Sequence, residues 1–113
     1  RCLVPLERFA EPRPGKGAGN AWFSVTVDRP AFFAGIWVPE WTSIRKLKDG
    51  ATTDDLFAFL TCDPNAVVDP IHPKAMPVIL TDAAEFEAWL AAPWSEAGAL
   101  QRPLRDDFLQ QVE

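Results

Sequence analysis

The chain has 113 residues, enough for one compact domain and too few for two. It is 48% hydrophobic and 24% charged, which excludes extended disorder. Eleven Lys and Arg stand against 16 Asp and Glu, a formal net charge of −5, which argues against a protein that coats duplex DNA with cations over its whole surface. No apolar stretch is long enough to span a bilayer, and the two cysteines, Cys2 and Cys62, show no CxxC or Cys/His spacing that would mark a disulfide scaffold or a metal site.

Leu3 to Phe9 reads as a short strand, followed by a Pro- and Gly-rich loop from Glu11 to Asn20. Ala21–Val27 and Ala31–Val38 are β-branched and aromatic runs separated by Asp28-Arg29-Pro30, a pattern that predicts a hairpin. Gly35 within the second run predicts a bulge or the close approach of another backbone. Arg45–Thr53 reads as a solvated loop, and Leu56–Cys62 as a third, buried strand.

Asp63-Pro64-Asn65 predicts the cap of a short helix running through Val68 and stopping at Pro70. Met76–Leu80 reads as a fourth strand. Asp82, with Glu85 three residues on, predicts a capped helix over Ala83–Ala92 with Phe86, Trp89 and Leu90 on one face, ended by Pro93. Further helical turns are expected over Trp94–Leu100 and Asp106–Val112. The fold class is α+β: a mainly antiparallel sheet or open barrel, with short helices concentrated in the second half. Uncovered sheet edges would call for a partner.

The one histidine, His72, lies between Pro70 and Pro73, which hold it in a non-helical turn. So placed, it suits proton transfer near neutral pH, or a structural bond to a backbone carbonyl. Glu11 follows the first strand, where a carboxylate can turn into a cleft and have its pKa raised by burial. The segment Pro14–Gly19 lacks the Walker spacing and reads as a hairpin connection. Among the five tryptophans, Trp37 and Trp89 fall on apolar faces and read as core, leaving Trp41 and Trp94 as candidates for base stacking.

Four stretches, in order, carry a resemblance. Arg1-Cys2-Leu3-Val4-Pro5 through Phe9 and Glu11 resembles the RCLVPxxGFYEW segment of the SOS response-associated peptidase (SRAP) family. Phe33–Trp37 resembles its FAGLW strand, Leu60–Asn65 its LTTxAN turn, and Pro70-Ile71-His72 with Met76–Leu80 its PIHxRMPVIL box. The likeness covers residues 1 to about 104. Departures are Arg8 for glycine, Ala10 for an aromatic residue, Pro12 for tryptophan, Lys74 for arginine and an added Ala75.

The resemblance implies that residues 1–113 are the C-terminal portion of a single SRAP-like domain. That family acts on abasic sites in single-stranded DNA, forming a covalent DNA–protein crosslink in the DNA damage response without a cofactor. It implies catalytic roles for Glu11 and His72 and DNA contacts for Thr61 and Lys74. The family nucleophile is an N-terminal cysteine whose thiol and α-amine close a thiazolidine on the sugar aldehyde. Cys2 follows Arg1, has no free amine, and reads, like Cys62, as a buried, reduced thiol.

The true nucleophile is therefore expected ahead of Arg1, in a segment processed away or left outside a fragment. The expected partners are single-stranded abasic DNA and, to cover sheet edges, the N-terminal half of the domain or another copy of the chain. No membrane association is expected; a cytoplasmic, nucleoid-associated setting is. The alternative is an inactive or truncated remnant that binds single-stranded DNA or protein.

Overall fold

A computed structural model describes residues 1–113 as an antiparallel α+β fold with few short helices and no closed barrel. β1 (Cys2–Leu6) and β2 (Arg8–Pro12) are two strands where the sequence suggests one, because the chain bends at Glu7 and sends them to different sheets. β3 (Asn20–Val25) pairs with β2, so the Gly-rich loop closes this hairpin, with the Arg13 amide donating to the Gly19 carbonyl at 2.8 Å.

The hairpin expected between residues 21–27 and 31–38 does not form. β4 (Ala31–Ile44) pairs with β1, β5 (Ala51–Phe59) and β8 (Ile79–Leu80), while β3 pairs with β2 and β9 (Leu109–Gln111). Asp28-Arg29-Pro30 is thus a crossing between sheets. Arg29 anchors it by donating to the Thr81 carbonyl.

Gly35 fulfils the close-approach reading. A Cβ there would meet Cys2 Sγ at 2.8 Å and Val4 Cγ2 at 3.0 Å, so only glycine lets β1 lie this close. The bulge falls later, between Val38 and Trp41, where Glu40 has φ 50°.

Residues 45–53 are less loop-like than expected. β4 runs to Ile44, a 3-10 turn covers Leu47–Asp49, and β5 starts at Ala51. Both strands are largely exposed over this length, which corrects the reading of 56–62 as a buried strand. Trp37, expected in the core, is 54% exposed, because its stretch of β4 has passed beyond the covering strands.

The segment after β6 (Thr61–Cys62) forms turns and not a helix. Asn65 takes the capping role expected of Asp63: its Oδ1 accepts from the amides of Val67 and Val68, while its Nδ2 donates to the Leu104 carbonyl at 3.0 Å. The expected fourth strand breaks at Val78 into β7 (Met76–Pro77), paired with β6, and β8, paired with β4. At the break the backbones of Ala34, Leu60 and Val78 bond to one another at 2.9–3.0 Å, so no polar group is stranded.

Helix α1 (Ala83–Ala91) forms as expected: Asp82 accepts from the Glu85 amide, and Glu85 reaches back to the Thr81 amide at 2.9 Å. Trp89 is its one fully buried side chain, whereas Leu90 is half exposed. Arg1 donates to the carbonyls of Trp89 and Ala92, placing a cation at the negative end of this helix. α2 (Trp94–Ala97) and a 3-10 turn over Gly98–Leu100 follow. Only Asp106–Phe108 of the last expected helix is helical, because Leu109 leaves to pair with Val25 as β9.

Two apolar clusters result. One gathers Phe9, Phe23, Phe33, Met76 and Ile79; the other gathers Ala34, Val78, Leu80 and Trp89. Both cysteines are half-buried, short of the full burial expected.

Candidate functional site

Alternation along β2 puts Glu11 on the same face as Phe9, two residues earlier, and so over the first apolar cluster. Its side chain is only 16% exposed. Burial raises the Glu11 carboxyl above its ordinary value of 4.5, and the neighbouring imidazole partly offsets this.

That imidazole belongs to His72. The Asn65-capped turn delivers it: the amides of Ile71 and His72 both donate to the Val68 carbonyl at 2.9 Å, and prolines flank the turn at 70 and 73. His72 Nδ1 lies 2.7 Å from the Ala75 carbonyl oxygen and 3.7 Å from Glu11 Oε2. A carbonyl only accepts, so Nδ1 carries the proton, and in the neutral ring Nε2 keeps its lone pair. At 3.7 Å the contact to Glu11 is electrostatic and not a hydrogen bond.

The two side chains border an open cleft of about 380 Å³ with Thr61 as the third polar side chain and walls that include Phe9, Phe33, Phe59 and Met76. Phe33 and Phe59 stack at 4.4 Å between centroids. Apolar walls keep the local dielectric low, which strengthens every charge effect on Glu11 and His72. The arrangement suits proton exchange with a small polar group held against an apolar floor.

Of the four residues singled out, Glu11, His72 and Thr61 meet at this cleft. Lys74 does not line it; it borders the adjoining hollow with Cys62, Gln101 and Arg102, joined to the cleft through Thr61 and Ala75. Cys62 borders that hollow, its thiol pushed up mainly by burial, with Arg102 opposing and Asp63 adding to the rise. Neither cysteine lines the cleft. No group of three His, Cys, Asp or Glu side chains stands close enough to hold a metal ion.

The bond to a backbone carbonyl expected as one reading of His72 is present, and its acceptor, Ala75, is what residue type alone could not name. Sequence reasoning missed Phe59, which the alternation of β5 could have placed opposite the Phe33 strand.

An antiparallel α+β fold whose cleft brings a half-buried carboxylate beside a histidine defines a class, and sequence similarity gives the family. The profile described as SOS response associated peptidase (SRAP) matches residues 1–112, and the chain belongs to that family. A crystal structure of a protein from Bacteroides thetaiotaomicron is similar, with TM-score 0.74 and 27% identity. It covers 99% of this chain, which spans about half (49%) of that one. No curated protein matches the chain significantly.

Proposed function

We propose that this chain forms the C-terminal part of a SRAP domain that recognises abasic sites in single-stranded DNA and crosslinks to them covalently. The observation that supports this best is the half-buried Glu11 carboxyl, its pKa raised, 3.7 Å from a histidine whose Nδ1 proton is engaged by Ala75. In this reading the abasic sugar enters the cleft as the closed hemiacetal and opens there to the aldehyde, the ring oxygen gaining a proton as the anomeric hydroxyl loses one. Glu11 in its protonated form gives a proton during ring opening, and His72 Nε2 relays protons between nucleophile and sugar. Thr61 at the rim and Lys74 in the adjoining hollow hold the phosphates on either side of the lesion. The setting proposed is cytoplasmic, at the nucleoid.

The crosslinking cysteine in this reading comes from polypeptide outside residues 1–113, since Cys2 has its nitrogen in the Arg1 peptide bond and packs against Gly35. Intact mass tests this: the protein made from its complete gene and residues 1–113 are each incubated with an oligonucleotide carrying one abasic site. An adduct with the complete gene product alone supports the reading. No adduct with either leaves the second reading, a catalytically inactive module that binds single-stranded DNA or protein, which the net charge of −5 and the lack of a cleft cysteine favour.

A further inference from the structure

Phe59 forms the outer part of the apolar wall of the cleft. Its partner across the β4–β5 pair is Gly35, which has no side chain, so the ring leans over the gap onto the diagonal neighbour Phe33. The two rings are 4.4 Å apart and 27° from parallel. Phe33 is 7% exposed and closes the inner face of Phe59. Phe59 itself is still 39% exposed and borders the cleft, so its outer face is open.

Alternation along the chain fixes what stands beside it. Leu60 turns away to pack on the second apolar cluster, which leaves Phe59 and Thr61 on the cleft side. Beyond Thr61 lies the hollow bordered by the cations Lys74 and Arg102. A flat apolar face, a hydroxyl and then cations match the parts of a nucleotide: base, sugar and phosphate. A deoxyribose that has lost its base brings no ring to cover Phe59, and leaving that face in water is unfavourable. The ring that covers it has to come from a neighbouring nucleotide.

We propose that Phe59 is the stacking platform for the base next to the abasic site, continuing the Phe33–Phe59 stack by one more ring, with the phosphate of that nucleotide toward Thr61 and Lys74. The proposal rests on the abasic-site reading above and adds the neighbouring base to what the cleft recognises. Stacking uses a π-face that every base has, so it sets no sequence preference but requires a base to be present. The cleft thereby favours an isolated abasic site over two in succession.

Fluorescence anisotropy of labelled single strands with residues 1–113 tests it. The strands are undamaged, or carry one tetrahydrofuran analogue of the abasic site, or carry that analogue with the base on its 5′ or its 3′ side also removed. The analogue has no aldehyde, so binding stays reversible. Removing one of the two neighbouring bases should weaken binding about tenfold, the size of one base–aromatic stack. F59L keeps an apolar side chain against Phe33 and loses the π-face. It should bind the single-site strand weaker by the same factor and be indifferent to removal of the neighbour, and F59W should recover the sensitivity. The proposal is overturned if neither removal changes the affinity of the parent, a comparison that needs no variant to fold, or if removal costs F59L as much as the parent. A parent that binds the undamaged strand as tightly as the single-site strand, or binds no strand, overturns the abasic-site reading and the proposal with it.

Discussion

Glu11 Oε2 and His72 Nδ1 stand 3.7 Å apart, too far to share a proton and close enough for each to feel the other's charge. The proton on Nδ1 is committed to Ala75 instead. In the proposed mechanism the pair would serve as two separate proton carriers, the Glu11 carboxyl raised by burial and the His72 tautomer fixed by a backbone carbonyl.

Stability should carry the mark of Glu11. Its folded pKa lies above 4.5, so the native state holds a proton that the unfolded chain releases first. Stability from this group is present below about 4.5 and is lost as pH rises through the folded pKa. E11Q should be more stable than the parent at pH 7 and should flatten the decline above pH 4.5. Urea titrations of both proteins across that window check this, and parallel curves would refute it.

His72→Ala should slow crosslinking to an abasic oligonucleotide by about 10²-fold or more, as removal of a proton-transfer group does. The folded state should survive, because the side chain is 28% exposed and belongs to neither apolar cluster. Unchanged rates in single-turnover gel assays would remove His72 from the mechanism.

Lys74→Ala should weaken binding to single-stranded DNA to a similar degree for every sequence. It should also lower the slope of log K against log salt by about 0.7, the value for one phosphate contact on a single strand. Fluorescence anisotropy at several salt concentrations reads this slope. An unaltered slope would place Lys74 off the DNA path.

Asn65→Ala should cost about 2–3 kcal/mol, because it removes the cap on Val67 and Val68 and strands the buried Leu104 carbonyl. Since the same turn carries His72, crosslinking should fall with it. Denaturant unfolding that shows a loss under about 1 kcal/mol would mean that water replaces the amide.

Gly35→Ala should destabilise by about 1–3 kcal/mol through contact with Cys2 Sγ and the Cys2 carbonyl. Adding C2A should recover part of the loss, since the sulfur goes and the carbonyl stays. Full additivity of the two changes in thermal unfolding would disprove the clash.

Much of the site could be read in the sequence because its determinants are local. Prolines around His72 and the cap at Asp82 act within a few residues, and each did what its chemistry predicts, while the glycine at 35 announced a close approach without naming β1 as the neighbour. Strand partners were harder. Residues 21–27 and 31–38 look like hairpin neighbours, yet the choice between sheets rests on β1, β8 and β9, which are remote in sequence. The exposure of Trp37 was invisible for a related reason: an apolar run does not say where the covering strand ends, and β1 stops opposite Gly35. Lys74 fell outside the cleft because a motif gives order along the chain and not the direction of a side chain.

The break at Val78 lets one short stretch belong to both apolar clusters, with Met76 and Ile79 in the first and Val78 and Leu80 in the second. Five consecutive residues thereby act as a rivet through two layers that could otherwise melt separately. Loss of order on one side withdraws support from the other, so the body of the protein should melt in a single calorimetric transition, and the floor of the cleft, which includes Met76, should last until that transition.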